Sequence, residues 1–256
     1  MKNNHFTKHG IDHLSASTVN LWISTPAMCL MKLAGFSSHA GPAAWRGIGV
    51  DRAVTALIEN PTMSLDSAQS IANMEFSQSQ VKSDVRTTED KITKERKHMK
   101  SCLDTAHKQI IPSYRERNLV ESQKKIELML DEIPVPFIGY IDLLFEDELV
   151  DLKSKSYNLS KPTLNDCRQM SIYAKATGAE PWLAYITHKE VRQFKVENLS
   201  AYLSDVIRAA QSLEKILSVS DDIEECCQFV YPDLDHWMWG DEVAVKEAKR
   251  IWRIQS

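Results

Sequence analysis

Two carboxylates and a lysine in the middle of the chain have the types and spacing to do chemistry. Residues 148–156 read ELVDLKSKS, and the run before them reads FIGYIDLLF. In a strand, residues i and i+2 face the same side. Asp151 and Lys153 therefore stand together, while Val150 and Leu152 turn the other way, into a core. The acidic segment Glu146-Asp147-Glu148 joins the two runs as a hairpin. Neighbouring side chains across such a ladder lie about 5 Å apart, which brings Asp142 beside Asp151. A slip of one residue would turn them to opposite faces, so the loop length decides whether they meet. A charged pair on a central strand costs solvation free energy unless it is paired or has a task. Two carboxylates that close repel each other unless a cation sits between them. Hard oxygen ligands with open water positions suit magnesium or manganese. Such an ion activates a water and offsets charge on a phosphoryl oxygen. Lys153 would position that water or neutralise the developing charge. The same residues also fit a surface hairpin closed by an ordinary salt bridge.

The elements that must hold these residues follow from hydrophobic period and punctuation. Residues 14–35 predict one helix, with Ser15 or Ser17 as N-cap and Gly35 as stop. A second helix covers 43–60, ended by Asn60 and Pro61, and a weaker third covers 64–80. The charge-rich stretch 83–117 predicts one or two helices with a narrow apolar stripe. After residue 118 the period shortens, and 119–156 predicts three antiparallel strands. Residues 161–178 return to helix, with Pro162 in the first turn and Gly178 at the C-terminus. Strands at 181–188 and 191–197 and helices at 199–219 and 241–255 complete the order. That is a mixed α/β (α+β) arrangement, not an alternating doubly wound one. The expectation is a single domain over 1–256. It comprises a mainly helical region (1–118), a hairpin–helix–strand centre (119–190) and a closing strand with helices (191–256).

The segment GYIDLLFEDELVDLKSKS resembles the core of the PD-(D/E)XK nuclease superfamily, specifically its RecB-like branch. There a Gly-x-x-Asp strand precedes a hairpin and a strand ending Asp-x-Lys. Gly139, Tyr140, Ile141 and Asp142 match the first part, and Asp151, Leu152 and Lys153 the second. The resemblance implies a restriction-endonuclease-like core with a central mixed sheet flanked by helices. It implies Asp142, Asp151 and Lys153 as catalytic residues, and Asp142, Asp151 and the Leu152 carbonyl as ligands to Mg2+ or Mn2+. RQMSIYAKATG looks like the family's Q-x-x-x-Y helix, which flanks the site and contacts DNA, through Gln169 and Tyr173 here. LSASTVNLWISTPAMCLMK looks like the opening helix, with Thr25-Pro26 in place of a Cys-Pro pair. RGIGVDRAV looks like the helix whose Gly-x-x-x-His or Gly-x-x-x-Glu supplies a further ligand. Here that position is Asp51, which departs from the pattern. Aspartate is shorter than glutamate, so it would bind through a water or from behind the ligands; a solvated helix face is the plainer alternative.

The remaining composition narrows the classes. The net charge is −4, which argues against a globally basic, histone-like binder but leaves local footprints open. Lys155 and Lys161, just beyond the proposed site, are expected phosphate contacts, giving salt-dependent affinity without sequence readout. The run KITKERKHMK fits either the same use or a solvated helix face. Trp237 and Trp239 could stack on bases, though packing of the final helix suits them better. No helix-turn-helix, zinc-finger or P-loop spacing occurs. The five cysteines have no framework spacing and predict reduced, buried thiols. One RecB-like subgroup holds an iron–sulfur cluster on four cysteines. Thr25 at the first position and adjacent Cys226 and Cys227 do not fit that set, so no cluster is expected. No apolar run reaches the length that spans a bilayer and no secretory h-region opens the chain, so no membrane partner and a cytoplasmic location (the host's, if the chain is viral) are expected. The resemblance implies an exonuclease acting on duplex ends or single strands in replication, recombination or repair, with partner proteins of those processes, and is similar to small bacteriophage exonucleases. A structure-specific endonuclease and a DNA-binding member without chemistry stay open.

Overall fold

The computed structural model describes residues 4–36, 40–83, 85 and 87–254, with Trp237 described in its backbone alone. A short helix α1 (His5–Lys8) precedes α2 (Ala16–Ser24) and α3 (Pro26–Leu33). The long opening helix is therefore two. Pro26 has no N–H to continue α2 and forces Thr25 out of helical geometry, to φ −150° and ψ 75°. Ser15 caps α2 by accepting the N–H of Thr18. Then come α4 (Pro42–Glu59), α5 (Leu65–Val81), α6 (Glu89–Gln109) and α7 (Ile111–Arg115). Parts of the loops before α4 and α6, at 37–39, 84 and 86, lie outside the described residues.

Three strands follow: β1 (Leu119–Leu130), β2 (Ile133–Phe145) and β3 (Glu148–Ser154). They are joined to α8 (Leu164–Thr177), β4 (Glu180–Ile186), β5 (Val191–Lys195), α9 (Leu199–Leu217), α10 (Ile223–Cys227), a 3-10 turn (Trp237–Trp239) and α11 (Glu242–Ile251). The sheet order is β1-β2-β3-β4-β5. Only β3 and β4 pair in parallel, and α8 is the crossover between them. The mixed sheet flanked by helices is the mixed α/β arrangement expected above. Pro162 lies before α8, not in its first turn. Thr163 is the N-cap, its hydroxyl accepting from the N–H of Asp166, and Gly178 ends the helix at φ +76°.

Two apolar clusters fill the two sides of the sheet. One joins α1–α3 and α8–α11 to β2, β3 and β4 through Leu14, Phe137, Met170, Leu183 and Leu213. The other joins α4–α7 to the sheet through Trp45, Leu57, Leu103, Leu143 and Val150. Gly49, not Gly47, is the glycine that α4 requires. A Cβ at Gly49 would lie 2.6 Å from Met99 Sδ and 2.8 Å from the Ala72 carbonyl, whereas one at Gly47 meets nothing. All five cysteines are buried thiols, on α3, α6, α8 and α10. Trp239 is buried, consistent with packing and not with base stacking. Among the described residues no helix is long and apolar enough to cross a membrane.

Candidate active site

The β2–β3 hairpin closes through a two-residue turn, Glu146-Asp147, and pairs Leu144 with Leu149 and Leu143 with Val150. Carried one residue further, that register sets Asp142 opposite Asp151. There the ladder stops and the strands part, while β3 continues along β4 through Asp151↔Leu183 and Lys153↔Tyr185. A fork of this kind frees backbone groups that must find partners. Asp142 Oδ2 accepts the N–H of Leu152 at 2.7 Å, and Tyr173 Oη accepts the N–H of Tyr140 at 3.3 Å. Side chains thus replace the missing ladder bonds, and the same side chains fill the cleft.

Lys153 Nζ lies 2.7 Å from Asp151 Oδ2 and donates to Gln169 Oε1 at 3.2 Å. Gln169 Nε2 donates to Asp151 Oδ1 at 2.9 Å and to Tyr173 Oη at 3.0 Å. The helical spacing of four between Gln169 and Tyr173 puts both on the face of α8 that overlies the fork. Gly139 makes room for that face, since a Cβ there would fall 2.4 Å from Tyr173 Cε1. Gln169 and Tyr173 therefore hold the Asp151–Lys153 pair as well as border the cleft.

Asp51 enters from α4. Its Oδ2 accepts from Gln123 Nε2 at 3.3 Å, and the same nitrogen donates to Asp142 Oδ1 at 3.2 Å. Gln123 lies on β1 in the left-handed region at φ +47°, where a residue other than glycine is strained. Asp51 Oδ1 is buried with no partner among the described residues. Upstream on α4, buried Arg46 donates from Nε to Ser154 Oγ at 3.1 Å and pairs with Glu95 of α6, tying both helices to β3 just past Lys153. Sequence singles out neither Gln123 nor Arg46. Gln123 sits in an unremarkable polar run (ESQKK), and nothing in RGIGV announces a buried guanidinium.

Electrostatics follow from this crowding. Burial, then the charges of Asp151 and Asp51, push the Asp142 carboxyl well above the usual range. Burial also raises Asp151, against the pull of Lys153. Asp51 rises to about 6, chiefly by burial, with Asp151 adding to it and Arg52 opposing. Burial works against the Lys153 ammonium, but Asp151 and Asp142 overcome it and hold its pKa above that of an ordinary lysine. Three carboxyl groups thus crowd around the one ammonium of Lys153.

Leu152, expected to offer its carbonyl, is anchored beside the acids by its N–H. Lys155 has partners within the fold. It lies 3.4 Å from Asp166 Oδ2 and 5.2 Å from the centre of the Tyr185 ring. Lys161 is on a separate hollow with Lys195, Asn198 and Tyr202. Among the described residues no three His, Cys, Asp or Glu side chains gather tightly enough to hold an ion as they stand. Asp51 reaches Asp142 through Gln123.

No family model and no curated protein matches the chain. Among solved structures it is similar to one described as "Crystal structure of SSO0001", at 13% identity and a TM-score of 0.34, over 78% of this chain and 89% of that one. A likeness that loose carries no argument about fold family or function.

Proposed function

We propose that the chain is a Mg2+- or Mn2+-dependent deoxyribonuclease with a PD-(D/E)XK core of the RecB-like branch, hydrolysing phosphodiester bonds at DNA ends. The observation that carries it is the strand fork. Asp142, Asp151 and Lys153 converge there, and Gln169 and Tyr173 of α8 bond to them and to the backbone the fork leaves open.

The donor set fits a hard divalent ion. The groups are carboxylate, carbonyl and amide oxygens, two acids are held short of compensating charge, and Asp51 Oδ1 is buried without a partner among the described residues. Asp142, Asp151 and the Leu152 carbonyl would hold the ion, with Asp51 behind them. When bound, it supplies positive charge that acidifies a water and offsets charge on a phosphoryl oxygen. The protein's own part is positioning. Lys153, its ammonium held by Asp151 and by Gln169, would act as a fixed cation toward the phosphoryl oxygens. Gln169 Oε1 aims that ammonium, and Gln169 Nε2 fixes the Asp151 carboxylate.

A DNA-binding member without chemistry is the second reading, favoured by the aspartate at position 51, which departs from the family's histidine or glutamate. Incubating the protein with linear and with covalently closed circular DNA in magnesium, manganese or EDTA separates the readings. Loss of linear DNA alone, dependent on metal, is the expected result. Cutting of circles would make it an endonuclease on the same site. Binding without cleavage in either metal would leave the second reading.

A further inference from the structure

Past the fork, β3 loses β2 as a neighbour. Its last residues pair with β4 alone, through Lys153↔Tyr185 and Ser154↔Ile186, and the N–H of Lys155 still donates to the Ile186 carbonyl at 2.9 Å. Lys153 therefore rides on a strand end with one free edge, where side chains must supply the anchorage that a second strand gives elsewhere. Alternation turns Ser154 to the face opposite Lys153, toward α4 and α6. Arg46 of α4 meets it there. Its Nε donates to Ser154 Oγ at 3.1 Å and its Nη1 to Ser156 Oγ at 3.3 Å. Only 3% of Arg46 is exposed, and a guanidinium so far from water needs acceptors. Two residues of α6 complete the set: the Glu95 carboxylate pairs with Nη1, and His98 Nδ1 lies 3.2 Å from the same nitrogen.

Arginine stays protonated and can only donate, so His98 Nδ1 must accept from it. That leaves the imidazole neutral, with its proton on Nε2, a nitrogen buried without a partner among the described residues. A second proton would turn Nδ1 into a donor aimed at a donor and set two cations in contact. The charged and titratable groups facing His98 are Arg46 from α4, His188 from the loop between β4 and β5, and Glu95 and Lys94 from its own helix. The His188 ring stands edge-on to it, 5.1 Å between centroids. Of these groups only Glu95 favours the second proton, and it is already engaged by Arg46. Burial, then Arg46, hold His98 below the ordinary histidine value of 6.5. We propose that Arg46 is a positioning residue for Lys153, clamping the end of β3 through Ser154 and Ser156, and that the clamp holds while His98 is neutral and loosens when His98 takes a proton. Its effect on cleavage rests on the nuclease reading; the clamp itself belongs to the fold. A lowered histidine resists its proton in the native state. The hold is therefore complete above the ordinary value of 6.5 and is lost as pH falls through it.

Two variants test it. His98→Asn puts an amide oxygen where Nδ1 accepts and cannot titrate. Ser154→Ala combined with Ser156→Ala removes the acceptors on β3 and leaves Arg46, Glu95 and His98 in place. Hydrogen exchange of the Lys155 amide in EDTA reads the clamp without DNA, corrected for intrinsic rates and referred to amides of the β1–β2 ladder. Wild type should lose protection between about pH 8 and about pH 5.5, while His98→Asn keeps it at both. The serine pair should be about tenfold less protected than wild type at about pH 8, the loss expected for a hydrogen bond from a charged donor. Cleavage of linear DNA at saturating DNA and Mn2+ then reads Lys153. The rate of His98→Asn relative to wild type should be near one at the higher pH and rise at the lower, and the serine pair should abolish that rise. Wild-type protection that is equal at both pH values, or lost equally in His98→Asn, would overturn the clamp. Exchange as expected with a rate ratio that ignores pH would overturn the positioning of Lys153. Exchange as expected with no cleavage by any variant would remove the nuclease reading and, with it, the role in cleavage, while supporting the clamp.

Discussion

Replacing Asp51 by asparagine should stabilise the metal-free protein, and by an amount that depends on pH. The substituted amide keeps an oxygen for Gln123 and the shape of the side chain, and removes one negative charge from a group of three. In the folded protein the Asp51 carboxyl sits at about 6, against an ordinary aspartate value of 3.8. A raised acid binds its proton more tightly when folded, so between those values the native state holds more protons than the unfolded chain. Stability therefore falls as pH rises from about 4 to about 6 and stays low above that window. At about 1.4 kcal/mol per pH unit, the full effect is about 3 kcal/mol at pH 8 and about 1.5 kcal/mol at pH 5. Both are upper limits, because water reaches part of the side chain and screens it. Urea unfolding in EDTA at the two pH values reads the difference directly. Asp51→Asn should be the more stable protein at pH 8, with an advantage about half as large at pH 5. Magnesium should reverse the order by stabilising wild type more, through preferential binding to the folded state. An Asp51→Asn protein less stable than wild type at pH 8 in EDTA would refute the charge-crowding argument. So would an advantage of equal size at both pH values.

Three further substitutions bear on the same framework. Gly139→Ala places a methyl group where the Tyr173 ring lies, and overpacking of this kind costs about 1–3 kcal/mol. Urea unfolding should show that loss, with reduced cleavage as Tyr173 and Gln169 shift. Gln123→Gly should be more stable than Gln123→Ala by about 1 kcal/mol in EDTA, because only glycine is at ease at φ +47°; equal stability would argue against that backbone. Arg46→Met leaves the half-buried Glu95 without its partner and should cost about 3 kcal/mol, with Glu95→Gln in the same protein recovering part of it.

The strands of the site are legible in the sequence because their signals are local. Alternation locates β2 and β3, and Asp-x-Lys puts its two charges on one face. The meeting of Asp142 with Asp151 depends on the turn, which alternation alone leaves open; the two-residue turn at Glu146-Asp147 brings them opposite each other. What sequence misses is long-range. Gln123 reaches Asp51 across 72 positions, and Arg46 reaches Ser154 across 108. Neither contact leaves a period or a spacing. The Gly-x-x-x-Asp pattern points to Gly47, but steric need falls on Gly49, which only the packing of α4 against α5 and α6 reveals. The break at Thr25 is available from Pro26, whose missing N–H outweighs an apolar pattern that runs on across it. Position alone puts Lys155 just past the site; the α8 carboxylate it pairs with is close only in the fold.

The most direct measurement is single-turnover cleavage of end-labelled linear DNA by wild type and Lys153→Met. Both proteins should first be shown folded by circular dichroism and able to bind Mn2+. Metal-dependent cleavage by wild type that falls about 100-fold or more in Lys153→Met would support a phosphodiester-hydrolysing centre in which the lysine supplies fixed positive charge. Cleavage by wild type in EDTA, or a Lys153→Met protein as fast as wild type, would contradict it.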